Sequence, residues 1–245
     1  MAAENFSLGV ALLALSFDAD SPWYDGDVRH VATALSHGGA HVRAFVFDMP
    51  RGERRTDAGI EVIGLGSAKT AADAPYPTIG RIDRFMIRRL MRLEHWKAPF
   101  DIIEADSRFG IASGLTRFPA SLIISLPEHA GRRDDFPTQA IEQRTAHAAD
   151  GFISPSRDSA AAARHVYDLP FGRPHRVVAP LTRSSSLEDY RLAACQRIDL
   201  YREALALEGV HARTGMAPAY AVEPVRSRVR PSAGPAFVRS SQMAS

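Results

Sequence analysis

Short apolar runs alternate along the chain with segments whose apolar residues recur at helical spacing. The apolar runs predict strands at residues 8–17, 41–48, 60–65, 101–105, 121–126, 151–154 and 175–179. The segments between them predict helices over residues 27–38, 79–96, 110–116, 138–149 and 157–167. Strands that alternate with helices are typical of a parallel sheet with helices on both faces. We therefore expect an α/β fold over the first 182 residues.

The chain changes character after residue 182. Ser185 and Glu188 have the spacing of a capping box, which predicts a helix that runs to about Leu207. Its apolar residues form one stripe: Leu187, Tyr190, Ala194, Ile198, Tyr201 and Leu205. Pro, Ser, Ala, Gly and Arg then dominate, so residues 210–245 are expected to form a disordered basic tail. The predicted organisation is a domain over 1–182, a helix within 183–209, and this tail.

Composition excludes several classes of protein. Of the 245 residues, 45% are hydrophobic and 24% are charged, as in ordinary soluble domains and unlike disordered, collagen-like or membrane-embedded chains. A net charge of only +2 gives no global attraction for nucleic acid, so no nucleic-acid partner is expected. Cys195 is the single cysteine and can form neither an intrachain disulfide nor a cysteine zinc cluster. These features favour a protein of the reducing cytoplasm.

The apolar run at residues 8–17 has two interpretations, a signal-peptide core or a buried strand. No Lys or Arg precedes it, Glu4 has the wrong charge for a signal peptide, and Asp18 and Asp20 follow at once. The buried strand is favoured. No apolar run approaches the ~20 residues that a membrane-spanning helix requires.

The loop after the first strand is the first candidate site, because ligands of open α/β sheets bind at the carboxyl ends of the strands. It contains Asp25, Gly26 and Asp27 directly before a predicted helix. Free backbone amides and the helix dipole at such a position favour a phosphate group. The alternative is that Gly26 makes a turn and Asp27 caps the helix.

The loop after the fifth strand is the second candidate site. It contains Glu128, His129, Arg132 and Arg133. A histidine beside a glutamate can transfer protons, and paired arginines can bind phosphate. A polar surface loop is the alternative. In the loop after the sixth strand, Ser156 is expected to serve mainly as a helix cap.

The helix predicted over residues 79–96 carries arginines at 81, 84, 88, 89 and 92, and its apolar residues fall near one face. A basic amphipathic helix can lie on an anionic membrane. The alternative is that its apolar face packs on the sheet and its charged face is solvated. A peripheral contact at the inner face of the membrane is therefore one hypothesis for this segment.

Standard catalytic and cofactor motifs are absent from the sequence. We find no phosphate-loop lysine motif, no G-x-G-x-x-G, no G-x-S-x-G and no H-E-x-x-H. No spaced His or Cys cluster predicts a metal site, and no bound cofactor is expected. The missing phosphate motifs weigh against a flavodoxin-like or other nucleotide-binding domain.

Several segments, in the same order, resemble glycosyltransferases of the GT-B fold, family 4-like. They are FDIIEADSRFGIASGL (100–115), IEQRTAHAADGFISPSRDSAAAARHVYDLP (141–170) and HRVVAPL (175–181). The opening strand, glycine loop and first helix are similar as well, so the resemblance covers roughly residues 6–182. It implies a Rossmann-like N-terminal domain, the half that mostly holds the acceptor. Enzymes of this family transfer a sugar from a nucleotide-sugar donor, which is a substrate and not a cofactor.

The same resemblance implies a functional assignment with an alternative. The family's donor domain should begin near residue 183, and the chain has no counterpart of it. DYRLAACQRIDLYREAL (189–205) instead resembles the helix that crosses back onto the N-terminal domain. We therefore expect a glycosyltransferase-like protein of polysaccharide or glycolipid assembly that is incomplete alone and uses a partner chain for the donor domain. Glu128, His129 and Arg132 would face the acceptor, and Asp25-Gly26-Asp27 a phosphate or the acceptor. The alternative is a non-catalytic module that binds a glycan, a nucleotide or a protein.

Overall fold

The computed structural model describes residues 8–18, 28–66, 81–126 and 136–214. Eight strands form one sheet: β1 (Gly9–Ala14), β2 (His41–Val46), β3 (Arg54–Asp57), β4 (Ile60–Gly64), β5 (Ile102–Asp106), β6 (Ser121–Ser125), β7 (Gly151–Ser154) and β8 (His175–Val177). The described α-helices are α1 (Val28–His37), α2 (Arg81–Lys97), α3 (Phe136–His147), α4 (Arg157–Tyr167) and α5 (Leu187–Thr214). A 3-10 helix spans Arg108–Gly114.

The strands lie in the order β3-β4-β2-β1-β5-β6-β7-β8. Every neighbouring pair is parallel except β3 and β4, which are antiparallel. The predicted parallel α/β sheet is therefore confirmed. The chain leaves β1 toward β2 on one side and returns to β5 on the other, so the strand order reverses at β1. This reversal creates a crevice at the carboxyl ends of the central strands, where ligands of such sheets bind.

The edge strand β3 is absent from the sequence-based prediction. Its residues, Arg54 to Asp57, are polar and give no alternating pattern. It forms a hairpin with β4 through Ala58 and Gly59, whose φ angles of 48° and 81° are both positive. Two positive φ angles are the conformation of the tight hairpin turn that matches strand twist. An arginine-bearing edge strand of this length also disfavours pairing with another sheet.

Helices cover both faces of the sheet, as predicted. One core lies between the sheet and α1 with α5, and includes Val31, Leu35, Leu200 and Tyr201. The other core lies beneath α2, α3, α4 and the 3-10 helix, and includes Ile87, Met91, Ile111, Ala146 and Tyr167. The apolar strand residues alternate between these two cores, because successive side chains of a strand point to opposite faces.

Several predicted boundaries are corrected. The first strand ends at Ala14 and not at residue 17. The helix predicted over 110–116 is a 3-10 helix that begins at Arg108. The capping box of α5 lies one residue later than predicted: the Ser186 amide donates to Asp189 Oδ2 at 2.7 Å, and the Asp189 amide donates to Ser186 Oγ at 3.2 Å. A serine run offers several candidate caps, and spacing alone does not choose among them.

The last helix is longer than predicted. It ends at Thr214 and not near Leu207, so the first residues of the predicted tail are helical, and the rest of that tail lies outside the described residues. Its buried side chains are Ala193, Ala194, Arg197, Leu200, Tyr201 and Ala204. Leu187, predicted on the apolar stripe, is exposed instead. In the described part of the chain, no helix has both the length and the apolar composition needed to span a membrane.

Candidate functional site

The six site residues predicted from the sequence lie outside the described residues. Asp25, Gly26 and Asp27 fall in the interval 19–27, and Glu128, His129 and Arg132 in the interval 127–135. Their roles stay predictions. The residues beside these two intervals are described, however. Val28, which follows Asp27, and Ser125, near the start of the second interval, line the same cavity.

This cavity lies at the carboxyl ends of β1, β5 and β6, against the start of α1 and the middle of α5. Its lining is Leu12, Leu13, Ala14, Val28, Val31, Glu104, Ala105, Asp106, Ser125 and Arg197. Its volume is about 60 Å³. At roughly 15 Å³ per water centre, this volume corresponds to about four water molecules. The cavity is placed where the topology predicts a site.

Glu104 forms the polar base of this cavity. It lies on β5 two residues after Ile102, and both therefore face the core that α1 and α5 share. The Ser125 hydroxyl donates to Glu104 Oε1 at 2.8 Å, and Arg197 Nε donates to the same oxygen at 3.4 Å. The Tyr201 hydroxyl donates to Glu104 Oε2. A carboxylate that is only 6% exposed thus holds β5, β6 and α5 together.

Burial is the main reason why the pKa of the Tyr201 hydroxyl is raised well above its ordinary value. The neighbouring Glu104 charge raises this pKa further, and the Arg197 charge opposes it. Tyr201 therefore remains a neutral hydrogen-bond donor throughout the working pH range. Its role here is to hold the carboxylate in place, since a neutral phenol cannot act as a base.

Asp106 is the more accessible carboxylate of the site. It accepts the Arg108 amide at 2.7 Å and Arg108 Nε at 2.6 Å. Its side chain is 17% exposed, and it lines the cavity at the end of β5. Arg108 fixes the orientation of Asp106, and Oδ1, which accepts the Arg108 amide, has a second lone pair for a ligand hydroxyl. Carboxylate and hydroxyl groups that line the same cavity suit recognition of a polyhydroxylated ligand.

The polar lining residues were not predicted from the sequence. Glu104 interrupts the apolar strand IIEAD, and Arg197 interrupts the buried stripe of α5. A charged residue at a core position requires a partner, so both interruptions were signals of a buried pair. The pairing itself could not be predicted from the sequence pattern, because Glu104 and Arg197 are 93 positions apart in the chain.

The predicted cap at Ser156 is confirmed. Ser156 Oγ accepts the Ser159 amide at 3.1 Å, and Ser159 Oγ accepts the Ser156 amide at 3.0 Å. This reciprocal pair begins α4 and occupies the Ser156 hydroxyl. For residues 8–18, 28–66, 81–126 and 136–214, no group of three or more His, Cys, Asp or Glu side chains is arranged as a metal site.

A second polar contact joins β7 to β8. Arg164 Nε donates to His175 Nδ1 at 3.4 Å, so the neutral ring carries its proton on Nε2, which donates to the buried Ser154 Oγ at 2.8 Å. Burial, with the Arg164 charge as a smaller cause, lowers the pKa of His175 to about 4. His175 is therefore a structural donor whose charged form the fold disfavours.

We predict that His175 makes the protein less stable in mild acid. Above pH 6.5 the ring is neutral in both the folded and unfolded states. Below that pH the unfolded state takes up a proton that the folded state takes up only near pH 4. Allowing for partial exposure, the free energy of unfolding should fall by about 1 kcal/mol between pH 7 and pH 5 through this residue.

The measurement is urea unfolding of wild type and His175→Gln at both pH values. The loss between pH 7 and pH 5 should be about 1 kcal/mol smaller in His175→Gln than in wild type. His165→Gln, at an exposed position of α4, should retain the wild-type loss. Equal losses in wild type and His175→Gln would show that this ring does not govern the acid sensitivity.

The fold and the cavity can be compared with known proteins. No protein-family model and no curated protein sequence matches the chain. Among solved structures, it is similar to a form of sucrose-phosphate synthase from Thermosynechococcus elongatus, with a TM-score of 0.54 and 17% identity. That match covers 80% of this chain and 98% of the other.

Two further matches are more distant. A glycosyltransferase from Rickettsia africae has a TM-score of 0.48 and 11% identity, over 80% of this chain and 50% of the other. UDP-N-acetylglucosamine 2-epimerase from Rickettsia bellii has a TM-score of 0.45 and 11% identity, over 86% of this chain and 52% of the other. The chain thus spans about half the length of these two proteins. The feature shared with the sucrose-phosphate synthase form is the fold, an α/β, Rossmann-like fold with a mostly parallel sheet.

Proposed function

We propose that this chain takes part in sugar transfer from a nucleotide-sugar to an acceptor, in the assembly of a polysaccharide or glycolipid. The observation that carries the proposal is the cavity at the carboxyl ends of β1, β5 and β6, which is lined by Glu104, Asp106, Ser125 and Arg197 among apolar residues, within a glycosyltransferase-type fold. Ligands of open parallel sheets bind at this edge. The function is therefore assigned from the position and chemistry of the cavity together with the fold.

The lining residues have separate roles in this proposal. Asp106 and Ser125 contact a hydroxyl group of the acceptor, since both line the cavity and both carry hydrogen-bonding oxygens. Glu104 positions Ser125 through their 2.8 Å hydrogen bond and does not itself react. We propose that the predicted residues 25–27 and 128–132 belong to the same site, because their segments adjoin Val28 and Ser125 in the chain.

The donor nucleotide binds mainly elsewhere in this proposal. The described lining encloses about 60 Å³, whereas pockets for small-molecule ligands measure about 300–1,000 Å³, so a nucleotide-sugar requires further protein surface. We propose that a separate domain outside these 245 residues, carried by a partner chain, supplies the donor half. Transfer then requires both halves, with the acceptor held on this one.

The test is a transfer assay on the chain with its co-purified partners, using UDP-glucose and UDP-N-acetylglucosamine with saccharide and glycolipid acceptors. Asp106→Asn and Ser125→Ala should each lower kcat/KM by about 10- to 100-fold, the effect of losing one hydrogen bond to a substrate hydroxyl in a closed site. Asp199→Asn is the matched control, because its side chain is 64% exposed on α5.

The outcomes separate the two candidate functions. Transfer only in the presence of a partner, with loss in the two cavity variants, supports the proposal. Transfer by the chain alone contradicts the separate donor domain. Saturable glycan or nucleotide binding without transfer under any condition would instead establish a non-catalytic binding module.

A further inference from the structure

The outward face of α2 has an unusual composition. Between residues 83 and 97 the exposed side chains are Phe85, Arg89, Arg92, Leu93, Trp96 and Lys97. Each of them is either a large apolar residue or a cation. Phe85 is 65% exposed, Leu93 48% and Trp96 83%. Scattered single hydrophobic residues are normal on a surface, but an aromatic stripe interleaved with arginine is not.

These side chains form one continuous stripe. At about 100° per residue, positions 85, 89, 92 and 96 lie within an arc of roughly 60° on the helix. At about 1.5 Å per residue, the stripe from Phe85 to Trp96 is about 16 Å long. A flat surface can therefore contact all four side chains together.

The acidic residues of α2 are turned away from this stripe. Asp83 forms an ion pair with Arg51 at 3.8 Å. Glu94 is only 2% exposed, and its carboxylate accepts Arg54 Nη2 at 2.6 Å and Lys97 Nζ at 2.9 Å. Burial works to raise the pKa of Glu94, but the hydrogen bonds from Lys97 and Arg54 outweigh it and lower that pKa. The exposed charge of the helix is consequently positive.

The inner face of α2 is already used by the fold. Ile87 and Met91 are buried in the core between α2 and the sheet. Arg88 is half-buried, and its Nη2 donates to the Arg117 carbonyl at 3.3 Å. The structure therefore separates the arginines that the sequence grouped together: Arg88 is held against the domain, whereas Arg89 and Arg92 point to solvent.

We propose that the outward stripe of α2 docks on the surface of an anionic lipid bilayer. Phe and Trp side chains partition into the boundary between headgroups and acyl chains. Arginines in the same stripe extend to the anionic headgroups, while their aliphatic stems cover apolar surface. The alternation of aromatic and arginine side chains thus matches the layered chemistry of a membrane surface.

The test is flotation of the full chain with liposomes of phosphatidylcholine containing about 30% phosphatidylglycerol, and with phosphatidylcholine alone. We expect binding to the anionic liposomes that exceeds binding to the neutral ones at least tenfold and weakens as salt is raised. Arg89→Glu/Arg92→Glu should reduce binding to the anionic liposomes at least tenfold. Phe85→Ser/Trp96→Ser should do the same.

Matched controls lie elsewhere on the surface. Phe171→Ser replaces an aromatic side chain that is 95% exposed, and Arg202→Glu replaces an arginine that is 71% exposed on α5. Both should bind liposomes as wild type does. Far-UV circular dichroism verifies that every variant is folded. Absence of binding, equal binding to both liposomes, or binding unchanged in the two α2 variants would each overturn the proposal. The test measures no sugar transfer, so its result is independent of the proposed function.

Discussion

Replacing Glu104 with alanine should lower the free energy of unfolding by about 3–5 kcal/mol, the cost of leaving one partner of a buried ion pair alone. Arg197 is 3% exposed and donates Nε to this carboxylate at 3.4 Å. Tyr201 and Ser125 donate to it as well, and their hydroxyls would lose an acceptor within the core. Urea unfolding followed by far-UV circular dichroism measures the loss.

A double-mutant cycle of Glu104→Ala, Arg197→Met and the double variant identifies the cause of this loss. Glu104→Ala/Arg197→Met removes both charges and should be more stable than Glu104→Ala, because no buried charge is left without its counterion. Glu203→Ala, at a carboxylate that is 45% exposed, is the control and should cost less than about 1 kcal/mol. A loss below about 1 kcal/mol in Glu104→Ala would show that this network does not hold α5 on the sheet.

Gly64→Ala should have the second-largest effect, a loss of about 3 kcal/mol in the free energy of unfolding. A Cβ atom at this position would lie 1.9 Å from the Pro50 carbonyl oxygen and 2.8 Å from the Met49 carbonyl oxygen. Both obstacles are backbone atoms, so no side-chain rotation relieves the overlap. The backbone is also tied in place, since the Gly52 amide donates to the Gly64 carbonyl at 2.8 Å and the Gly64 amide to the Glu53 carbonyl at 2.9 Å.

Gly59→Asn is the comparison for this prediction. Gly59 has a φ of 81°, and no atom lies within 4 Å of the position that a Cβ atom would take there. Asparagine accepts the left-handed conformation, so the loss should stay below about 1 kcal/mol. Chemical unfolding of Gly64→Ala measures the cost of a steric overlap. The same measurement on Gly59→Asn gives the cost of a side chain at a positive φ angle. An unchanged urea midpoint for Gly64→Ala would contradict the close approach of residues 49 and 50.

The sequence predicts most of the sheet because buried parallel strands have a simple pattern. Runs such as SLIIS and DIIEA are apolar on both faces and are separated by helical segments. The edge strand Arg54–Asp57 escapes this rule, because an exposed antiparallel edge needs no apolar residue. It is recognised only when its pairing with β4 is seen.

The site is less predictable than the sheet. Topology predicts a site at the carboxyl ends of the strands, and the cavity beside Val28 and Ser125 lies there. The network of Glu104, Arg197 and Tyr201 depends on the docking of α5, which brings together residues more than ninety positions apart. Local pattern carries no information on such a contact. The residues predicted in the two loops lie outside the described part of the chain, and their roles stay predictions.

Methyl NMR tests the central claim, that ligands with sugar groups bind at the carboxyl edge of the sheet. Leu12, Val28 and Val31 line the cavity, whereas Leu65 and Leu169 do not, so leucine and valine labelling provides both probes and controls. On titration with saccharide acceptors, we predict saturable shifts at the three cavity residues and none at the two controls. Shifts confined to other residues, or no saturable shift with any of these ligands, would contradict the account.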